Sequence, residues 1–486
     1  MNTTAPTLWR LTAAAAALTV LAGCASVSPD GLQGRAMEQA ARSAPALATQ
    51  LPPTDPATRS EAQAQLRTWL AQPLTQDNAV RIALLHQPAL RVRLAELGIQ
   101  DAQRVQALQL PNPHLTLGRL VNGHEREIER SLSFGLLDLI TLPWRTQRQA
   151  EARDHATLLA AQDVLQVAAD ARRAWLRAVA AEQVAAVHSR MVEAAEAGAE
   201  LAQRMARTGN WSRLQWAREQ ALLSDARASQ ARAQLAAATA REQLHRTLGL
   251  WGGNASFTLA SSLPALPALP ADVLNAQALE TQALAQRLDL QAARRQLDTT
   301  STRAGWAGAA ALFGSVGLGY QRNTTTERDS GHRDTTRGWE LELPLPLFDW
   351  GGTARTARTV AGLEVERSAA QLQDTALRAR AEVRTAWLTY RTSHDLARQQ
   401  RDEVLPLRTL IQSETTLRYN GMLASVWDLL AEARTAAAAS ARAIEAQRDF
   451  WLADTDLRLA LIGAIDTPAT ALGTTTPAEG ADSRGH

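Results

Sequence analysis

The sequence contains no lysine, so all 51 of its basic residues are arginine. They are balanced by 49 acidic residues, which leaves a net charge of +2, and both signs are interspersed along the chain. A nucleic-acid-binding protein usually concentrates its positive charge on one face or segment. No such segment stands out, so nucleic acid is not an expected partner.

Cysteine and histidine are also scarce. Cys24 is the single cysteine, which excludes a disulfide within the chain. The nine histidines form no His-x-x-x-His pair, and the sequence has no Cys-x-x-Cys pair and no Gly-rich phosphate loop. His124 and His332 lie in predicted hairpin loops, where they could share a metal or simply be solvated. The sequence therefore predicts no enzyme, no cofactor and no metal site.

The surroundings of Cys24 carry a targeting signal. Arg10 precedes an apolar stretch over residues 11–20, and Leu-Ala-Gly-Cys follows at 21–24. A basic start, a short apolar segment and small residues before a cleavage point are typical of a secretory signal, here residues 1–23. The four letters resemble the bacterial lipoprotein box, which implies a lipid on the Cys24 thiol; an ordinary buried cysteine is the alternative. The same resemblance implies the outer membrane, because Ala25 rather than an aspartate follows the cysteine.

Proline is absent from Arg145 until Pro264, and aromatic residues make up only 4% of the chain. The Ala-, Leu-, Gln-, Glu- and Arg-rich composition of this stretch predicts long helices. One helix is expected to run to about Met205, and a second from Ser212 to Leu248, ending at Gly249. Helices of this length must pack along other helices, as in a coiled coil.

The stretch before these helices is expected to be less regular. Residues 24–74 are predicted to form an N-terminal linker with a short helix over 57–70. Thr75 or Asp77 is expected to cap a helix that continues to about Leu110.

Two stretches predict membrane strands. Leu115 and Leu117 begin one strand, the Asn122–Gly123 turn signal follows, and a second strand alternates around Leu132. From Trp339 to Leu347, apolar residues alternate first with Glu340 and Glu342, then with two prolines. This period of two is typical of a strand between lipid and a wet lumen. The two glutamates are therefore predicted to line a lumen.

The chain also repeats its pattern with an offset that grows from 201 to 214 residues. The predicted repeats are residues 75–263 and 264–466, the second beginning with the Pro-rich link 264–272. Within it, residues 322–337 are expected to form a polar loop, and the helix from Thr353 is expected to kink or break at Pro406. Residues 467–486 are expected to be a disordered tail.

Each repeat offers two strands, and four strands cannot close a barrel. An open sheet edge in lipid leaves backbone groups unpaired at a cost of several kcal/mol each. The sheet is therefore expected to close between chains, and three copies would supply about twelve strands.

The ordered set of motifs resembles the TolC-like outer-membrane efflux family, in its lipoprotein branch. The matching pieces are LPLFDWGG at 345–352, RYNGMLASVWDLL at 418–430, the two-fold repeat and the lipid box. The resemblance implies a mainly α-helical chain with a membrane β part. Three copies would form a twelve-stranded β-barrel, continued by an α-helical coiled-coil barrel across the periplasm. A periplasmic adaptor protein and an inner-membrane pump are the implied partners.

The resemblance also implies a set of functional residues at two helix-turn-helix tips. Gly421, Ser425 and Asp428 match a pattern in which the carboxylate faces the pore, and Tyr419 would help to hold the closed tip. The alternatives are a solvated Asp428 and a packing role for Tyr419. For adaptor docking, the implied residues are Arg207, Gly209, Arg418, Gly421 and Ser425.

The predicted function is that of a passive exit duct of a tripartite efflux system. Two alternatives stay open. One is the outer-membrane duct of a type I protein secretion system, which shares the fold. The other is a periplasmic coiled-coil lipoprotein that conducts nothing.

Overall fold

The computed structural model describes residues 26–51, 60–61, 64–109, 112–135, 142–251, 256–269, 275–312, 316–342 and 352–465. The predicted signal peptide, Cys24, most of the LPLFDWGG segment and the C-terminal tail lie outside these residues.

Helices dominate the described part of the chain, and none of those helices is both long and apolar enough to cross a bilayer. In chain order they are Gln33–Ser43 (α1), Leu66–Leu70 (α2), Gln76–His86 (α3), Pro88–Leu108 (α4), Leu142–Arg207 (α5), Arg213–Leu248 (α6), Ala276–Gln286 (α7), Leu288–Leu312 (α8), Gly352–Gln399 (α9), Leu405–Asn420 (α10) and Val426–Ile462 (α11).

Several helix ends follow from local sequence. The Thr75 hydroxyl accepts a hydrogen bond from the Asn78 N–H at 3.2 Å, so Thr75 is the cap of α3. Gly249 ends α6 in the left-handed conformation, with φ of 68°. The single helix expected from Thr75 to Leu110 is wrong, however. Gln87 is extended because Pro88 follows it, and the chain forms two helices there.

The N-terminal segment is more ordered than the expected linker. It contains α1, whose start is held by the Asp30 carboxylate. That carboxylate accepts hydrogen bonds from the N–H groups of Leu32 at 3.1 Å and Gly34 at 2.8 Å. Asp30 thus satisfies backbone donors that the first turn of a helix leaves without partners.

Pro406 disturbs the helical hairpin as expected. The five residues before α10, Gln400–Val404, form a π-helical turn between α9 and α10. Proline lacks the N–H that would continue the α-helical ladder, and its ring crowds the preceding turn. The chain accommodates this by widening the turn rather than by ending the helix.

Four antiparallel strands form one sheet in the order β1-β2-β3-β4. They are His114–Val121 (β1), Glu125–Gly135 (β2), Gly317–Glu327 (β3) and Arg333–Glu342 (β4). The loop expected over residues 322–337 is wrong. Eleven residue pairs join β2 to β3, and β3 pairs with β4 up to Thr326 and Arg333. The three consecutive threonines of β3 are β-branched and suit a strand.

The described residues fall into two compact units. The first lies within Met1–Gln39, Arg91–Ala161 and Asp289–Thr375 and holds the sheet. A small core of Leu32, Ala36, Leu97 and Ala160 packs α1 against its neighbours there. Gly31 approaches Gly98 so closely that a Cβ on Gly31 would lie 3.1 Å from the Gly98 Cα.

The second unit lies within Ala40–Leu90, Gln162–Leu288 and Ala376–His486. One of its core clusters contains the fully buried Phe450 and the buried Tyr390. The Pro-rich link runs along these helices, because extended proline-rich backbone leaves its carbonyls without internal partners. The Pro264 carbonyl accepts hydrogen bonds from Gln447 at 2.6 Å and Trp451 at 2.9 Å. The link is therefore held by helix side chains.

Candidate functional sites

The first helix-hairpin tip connects α5 to α6. Gly209 adopts a φ of 78°, which lets the chain reverse after α5. Ser212 then caps α6 through a capping box. Its hydroxyl accepts from the Gln215 N–H at 3.2 Å, and the Gln215 side chain accepts from the Ser212 N–H at 3.0 Å. Arg207 is exposed and forms no ion pair with a described residue.

The second tip connects α10 to α11 and uses the same device with a charged partner. The Asp428 carboxylate accepts hydrogen bonds from the Ser425 N–H at 3.0 Å and the Ser425 hydroxyl at 2.7 Å. The Ser425 oxygen in turn accepts from the Asp428 N–H at 3.2 Å. These hydrogen bonds from Ser425 lower the pKa of Asp428 below its ordinary value of 3.8. The carboxylate is therefore ionised at neutral pH, and it is exposed.

The two tips reverse the chain differently. At the second tip the left-handed residue is Met422, with φ of 57°, whereas Gly421 has an ordinary φ of −83°. Gly421 is therefore not the conformational counterpart of Gly209. Met422 and Leu423 are 95% and 82% exposed, so the second tip presents two large apolar side chains.

The remaining predicted tip residues have few contacts. Tyr419 is 40% exposed, and its carbonyl accepts from the Met422 N–H at 3.0 Å. Its hydroxyl makes no hydrogen bond within the described part of the chain. Arg418 is exposed, and its carbonyl accepts from the Leu423 N–H at 2.7 Å. Both residues thus support the turn through their backbone.

Aromatic stacking joins the two tips. The rings of Trp211 and Trp427 stack with centroids 4.1 Å apart. Next to them α5 and α11 approach closely, since a Cβ on Gly198 would lie 3.1 Å from Leu430 Cδ1. Arg434 also lies 3.6 Å from the Glu219 carboxylate. The tips thus form one local assembly, which brings the two predicted sets of tip residues together.

Strand register places the predicted lumen residues on one face of the sheet. Glu340 pairs with Gly319, and Glu342 pairs with Gly317. Their neighbours Trp339 and Leu341 project to the other face, where they are 74% and 57% exposed. The alternation expected for this strand is thus present as far as Glu342.

Charge divides completely between the two faces of the described sheet. The register places every strand arginine on the Trp339 face: Arg119, Arg126, Arg130, Arg322, Arg333 and Arg337. It places every strand carboxylate on the Glu340 face: Glu125, Glu127, Glu129, Glu327, Asp334, Glu340 and Glu342. The face with the arginines also holds most of the large apolar side chains, so the two faces meet different surroundings.

Within the described residues, the two hairpin histidines do not form a metal-binding site. His124 Nδ1 lies 3.4 Å from the Asp329 carboxylate, and both side chains are at least 80% exposed. The His332 N–H donates to the Ser330 hydroxyl at 3.1 Å. No group of three or more potential ligands forms a metal site within the described ranges.

Comparison with known proteins identifies the family. The sequence profile of the outer membrane efflux protein family matches residues 279–463. Protein CyaE of Bordetella pertussis (strain Tohama I) is 31% identical over 343 residues, which are 65% of this chain and 69% of that protein. The chain belongs to the outer membrane efflux protein family.

Solved structures show the same fold at low identity. A membrane protein from Pseudomonas aeruginosa superposes with a TM-score of 0.64 at 20% identity, covering 79% of this chain and 93% of that one. The open state of the MtrE outer membrane channel of Neisseria gonorrhoeae superposes with a TM-score of 0.62 at 19% identity, covering 82% and 89%. The efflux-protein fold thus covers most of the chain.

Two features of these sites were missed from the sequence. Trp211 stands one residue before the Ser212 cap, and Trp427 two residues after the Ser425 cap. The presence of a tryptophan next to each capping serine was the sequence signal that could have predicted this stack. The polar composition of residues 322–337 predicts a loop, so the arginine face has no signal in the sequence alone.

Proposed function

We propose that three copies of this chain form a passive exit duct in the outer membrane. Each chain supplies four strands to a twelve-stranded barrel, which a helical coiled-coil tunnel continues into the periplasm. The duct performs no chemistry. An inner-membrane pump supplies the energy, and a periplasmic adaptor protein joins the pump to the helix tips. A lipid on Cys24 gives a second membrane attachment.

The observation that carries this proposal is the difference between the two faces of the sheet. One face exposes Leu115, Leu132, Trp339 and Leu341, each at least 40% accessible. The other carries all seven strand carboxylates. A soluble protein rarely leaves such an apolar surface uncovered. Lipid on one side and water on the other account for both faces.

The strand order supports closure between chains. Within the chain β1 and β4 are the edges of the sheet, each paired on one side. Edges of this kind need a partner inside a bilayer. An identical neighbour can supply β4 to β1 and so close a ring.

The order of elements also supports an internal two-fold repeat over residues 75–263 and 264–466. In each half two helices precede a hairpin and two long helical segments follow it. The two tips that result, capped by Ser212 and Ser425, would lie at the periplasmic entrance. In the trimer Asp428 would form a ring of three carboxylates that attracts cations.

Conductance in planar bilayers tests the proposal. The full-length protein should run as a trimer and conduct ions. The Leu115→Glu variant places a charge on the apolar face, which should reduce insertion because a charged side chain that faces lipid is destabilising, by less than the about 2–4 kcal/mol of an arginine or lysine at the bilayer centre. The Thr116→Glu variant adds the same charge to the neighbouring residue on the carboxylate face and should conduct.

Two results would contradict the duct. An intact trimer without conductance would favour a non-conducting coiled-coil lipoprotein. A monomeric protein, together with equal insertion and conductance of the Leu115→Glu and Thr116→Glu variants, would contradict the proposed barrel.

A further inference from the structure

Three arginines lie side by side on the apolar face of the sheet. Arg130 on β2 pairs with Arg322 on β3, which pairs with Arg337 on β4. Side chains directly opposite on neighbouring strands have Cβ atoms about 5 Å apart, and like charges in this arrangement are destabilising. An anionic group lying against a row of three guanidinium groups therefore stabilises it.

The described part of the chain supplies no such anion. All seven strand carboxylates project from the opposite face of the sheet. Arg130, Arg322 and Arg337 are exposed, and none forms an ion pair with a described residue. A compensating charge for this row therefore has to come from outside the described residues.

The position of the row indicates what that charge is. The next row toward the helical end of the strands holds Leu115, Leu132, Tyr320 and Trp339. Tyr320 and Trp339 contact each other with ring centroids 5.1 Å apart. Paired Tyr and Trp side chains are typical of the boundary between hydrocarbon and lipid headgroups. The arginine row lies two residues farther toward the hairpin turns, about 7 Å along the strands.

We propose that Arg130, Arg322 and Arg337 bind the phosphate groups of lipids in the outer leaflet. This rests on the proposed barrel, since it takes the apolar face as the lipid face. The guanidinium group suits phosphate because it donates two parallel hydrogen bonds to adjacent oxygens. The apolar row beside it holds the acyl chains of the same lipids, which favours a lipid over an acidic protein. Arg119, Arg126 and Arg333 extend the positive surface toward the turns.

Lipid binding by the purified full-length trimer tests this proposal. The probe is fluorescent lipid A with both phosphates, compared with the same lipid after dephosphorylation. We expect the native protein to prefer the phosphorylated lipid by about tenfold or more. The triple variant Arg130→Gln, Arg322→Gln, Arg337→Gln should lose this preference. Replacement of the three by lysine should retain part of it, because charge remains but the paired donors are lost.

The matched control removes three exposed arginines elsewhere. Arg218→Gln, Arg232→Gln and Arg367→Gln change the net charge equally but lie on helices, so the lipid preference should stay at its native level. Equal binding of both lipids by the native protein would overturn the proposal. Displacement of the lipid by millimolar inorganic phosphate alone, or by an acidic peptide, would also overturn it in favour of another anion.

Failure of this inference is distinguishable from failure of the duct. A trimer that inserts and conducts but shows no phosphate preference contradicts only the arginine row. A protein that neither inserts nor conducts contradicts the barrel itself. The triple lysine variant keeps the test available if the glutamine variant does not assemble.

Discussion

Trp211 and Trp427 stack with their ring centroids 4.1 Å apart, and each stands beside the capping serine of a different helix-hairpin tip. The two residues are far apart in sequence, so this contact joins the two halves of the chain at one point. Motion of one tip relative to the other must separate these rings. The pair therefore opposes independent movement of the two tips.

Truncation of the pair should loosen the tips. An aromatic pair contributes about 0.5–1.5 kcal/mol beyond the area that it buries. Loss of about 1 kcal/mol in each chain shifts an opening equilibrium about fivefold. In the proposed duct, Trp427→Ala should raise the open fraction in single-channel recordings, whereas Trp427→Phe should stay near the native value. Trp251→Ala removes a tryptophan that is 89% exposed and serves as the control. An unchanged open fraction in Trp427→Ala would exclude the stack from gating.

Replacement of Met422 by glycine should stabilise the protein. Its φ of 57° costs a residue with a side chain about 1–2 kcal/mol, and glycine adopts this conformation freely. The greater entropy of unfolded glycine offsets part of that gain, so Met422→Gly should raise the unfolding free energy by up to about 1 kcal/mol. Leu423→Gly, at a neighbour with ordinary φ, should lower it. Thermal melts followed by circular dichroism check the sign, and a decrease for both variants would contradict the strain.

Local signals in the sequence predicted several helix boundaries. Thr75, Ser212 and Gly249 act where their conformational preferences predict, and Pro406 perturbs its helix as expected. Caps and prolines act through neighbouring residues, so their effect can be predicted without knowledge of the fold. Helix α1 was missed because its start depends on Asp30, three residues before the helix, within a stretch whose composition favours a linker.

Structural features that depend on contacts between residues far apart in sequence could not be predicted from local sequence signals. Residues 322–337 are polar, yet they form strands because β3 pairs with β2 about 200 residues earlier. The separation of charges between the sheet faces emerges only from that register, since parity along each strand has no meaning until the strands are aligned. The stack of Trp211 on Trp427 likewise requires the two hairpins to meet. The pore role of Asp428 stays a prediction, and its hydrogen bonds to Ser425 were not predicted from the sequence.

Asp428 should govern cation preference with little dependence on pH above 4. Because its folded pKa lies below 3.8, its contribution to the helix cap is present above that value and is lost as the pH falls through the lower, folded pKa. Asp428→Asn should reduce the cation preference of the proposed channel at pH 7. Gln215→Glu offers the converse change, since it adds a carboxylate to the first tip while retaining a capping box.

Reversal potentials in asymmetric salt measure both tip variants. We expect opposite shifts for Asp428→Asn and Gln215→Glu, and the difference between the native protein and Asp428→Asn should stay constant from pH 7 to about pH 4.5. If neither variant moves the reversal potential, Asp428 is a capping residue alone.

Arg287 should be among the most costly side chains to remove from the second unit. Its side chain is 1% exposed, lies 2.7 Å from the Glu382 carboxylate and donates to the Ala460 carbonyl at 3.0 Å. Loss of one partner of a buried ion pair costs about 3–5 kcal/mol, because the remaining charge stays without compensation. The Glu382 side chain is 27% exposed, which places the expected cost near the lower end. Arg287→Met should therefore lower the melting temperature measured by circular dichroism by several degrees.

A second substitution separates charge from packing in that variant. Combining Arg287→Met with Glu382→Gln removes the uncompensated carboxylate and should recover part of the lost stability. The Ala460 carbonyl still lacks the Arg287 donor in the double variant, so recovery should be incomplete. Arg384→Met breaks a pair with Glu280 in which the arginine is 61% exposed, so the lost charge is one that water already solvates, and it should cost about 1 kcal/mol or less. Equal losses for Arg287→Met and Arg384→Met would show that burial of Arg287 does not decide its contribution.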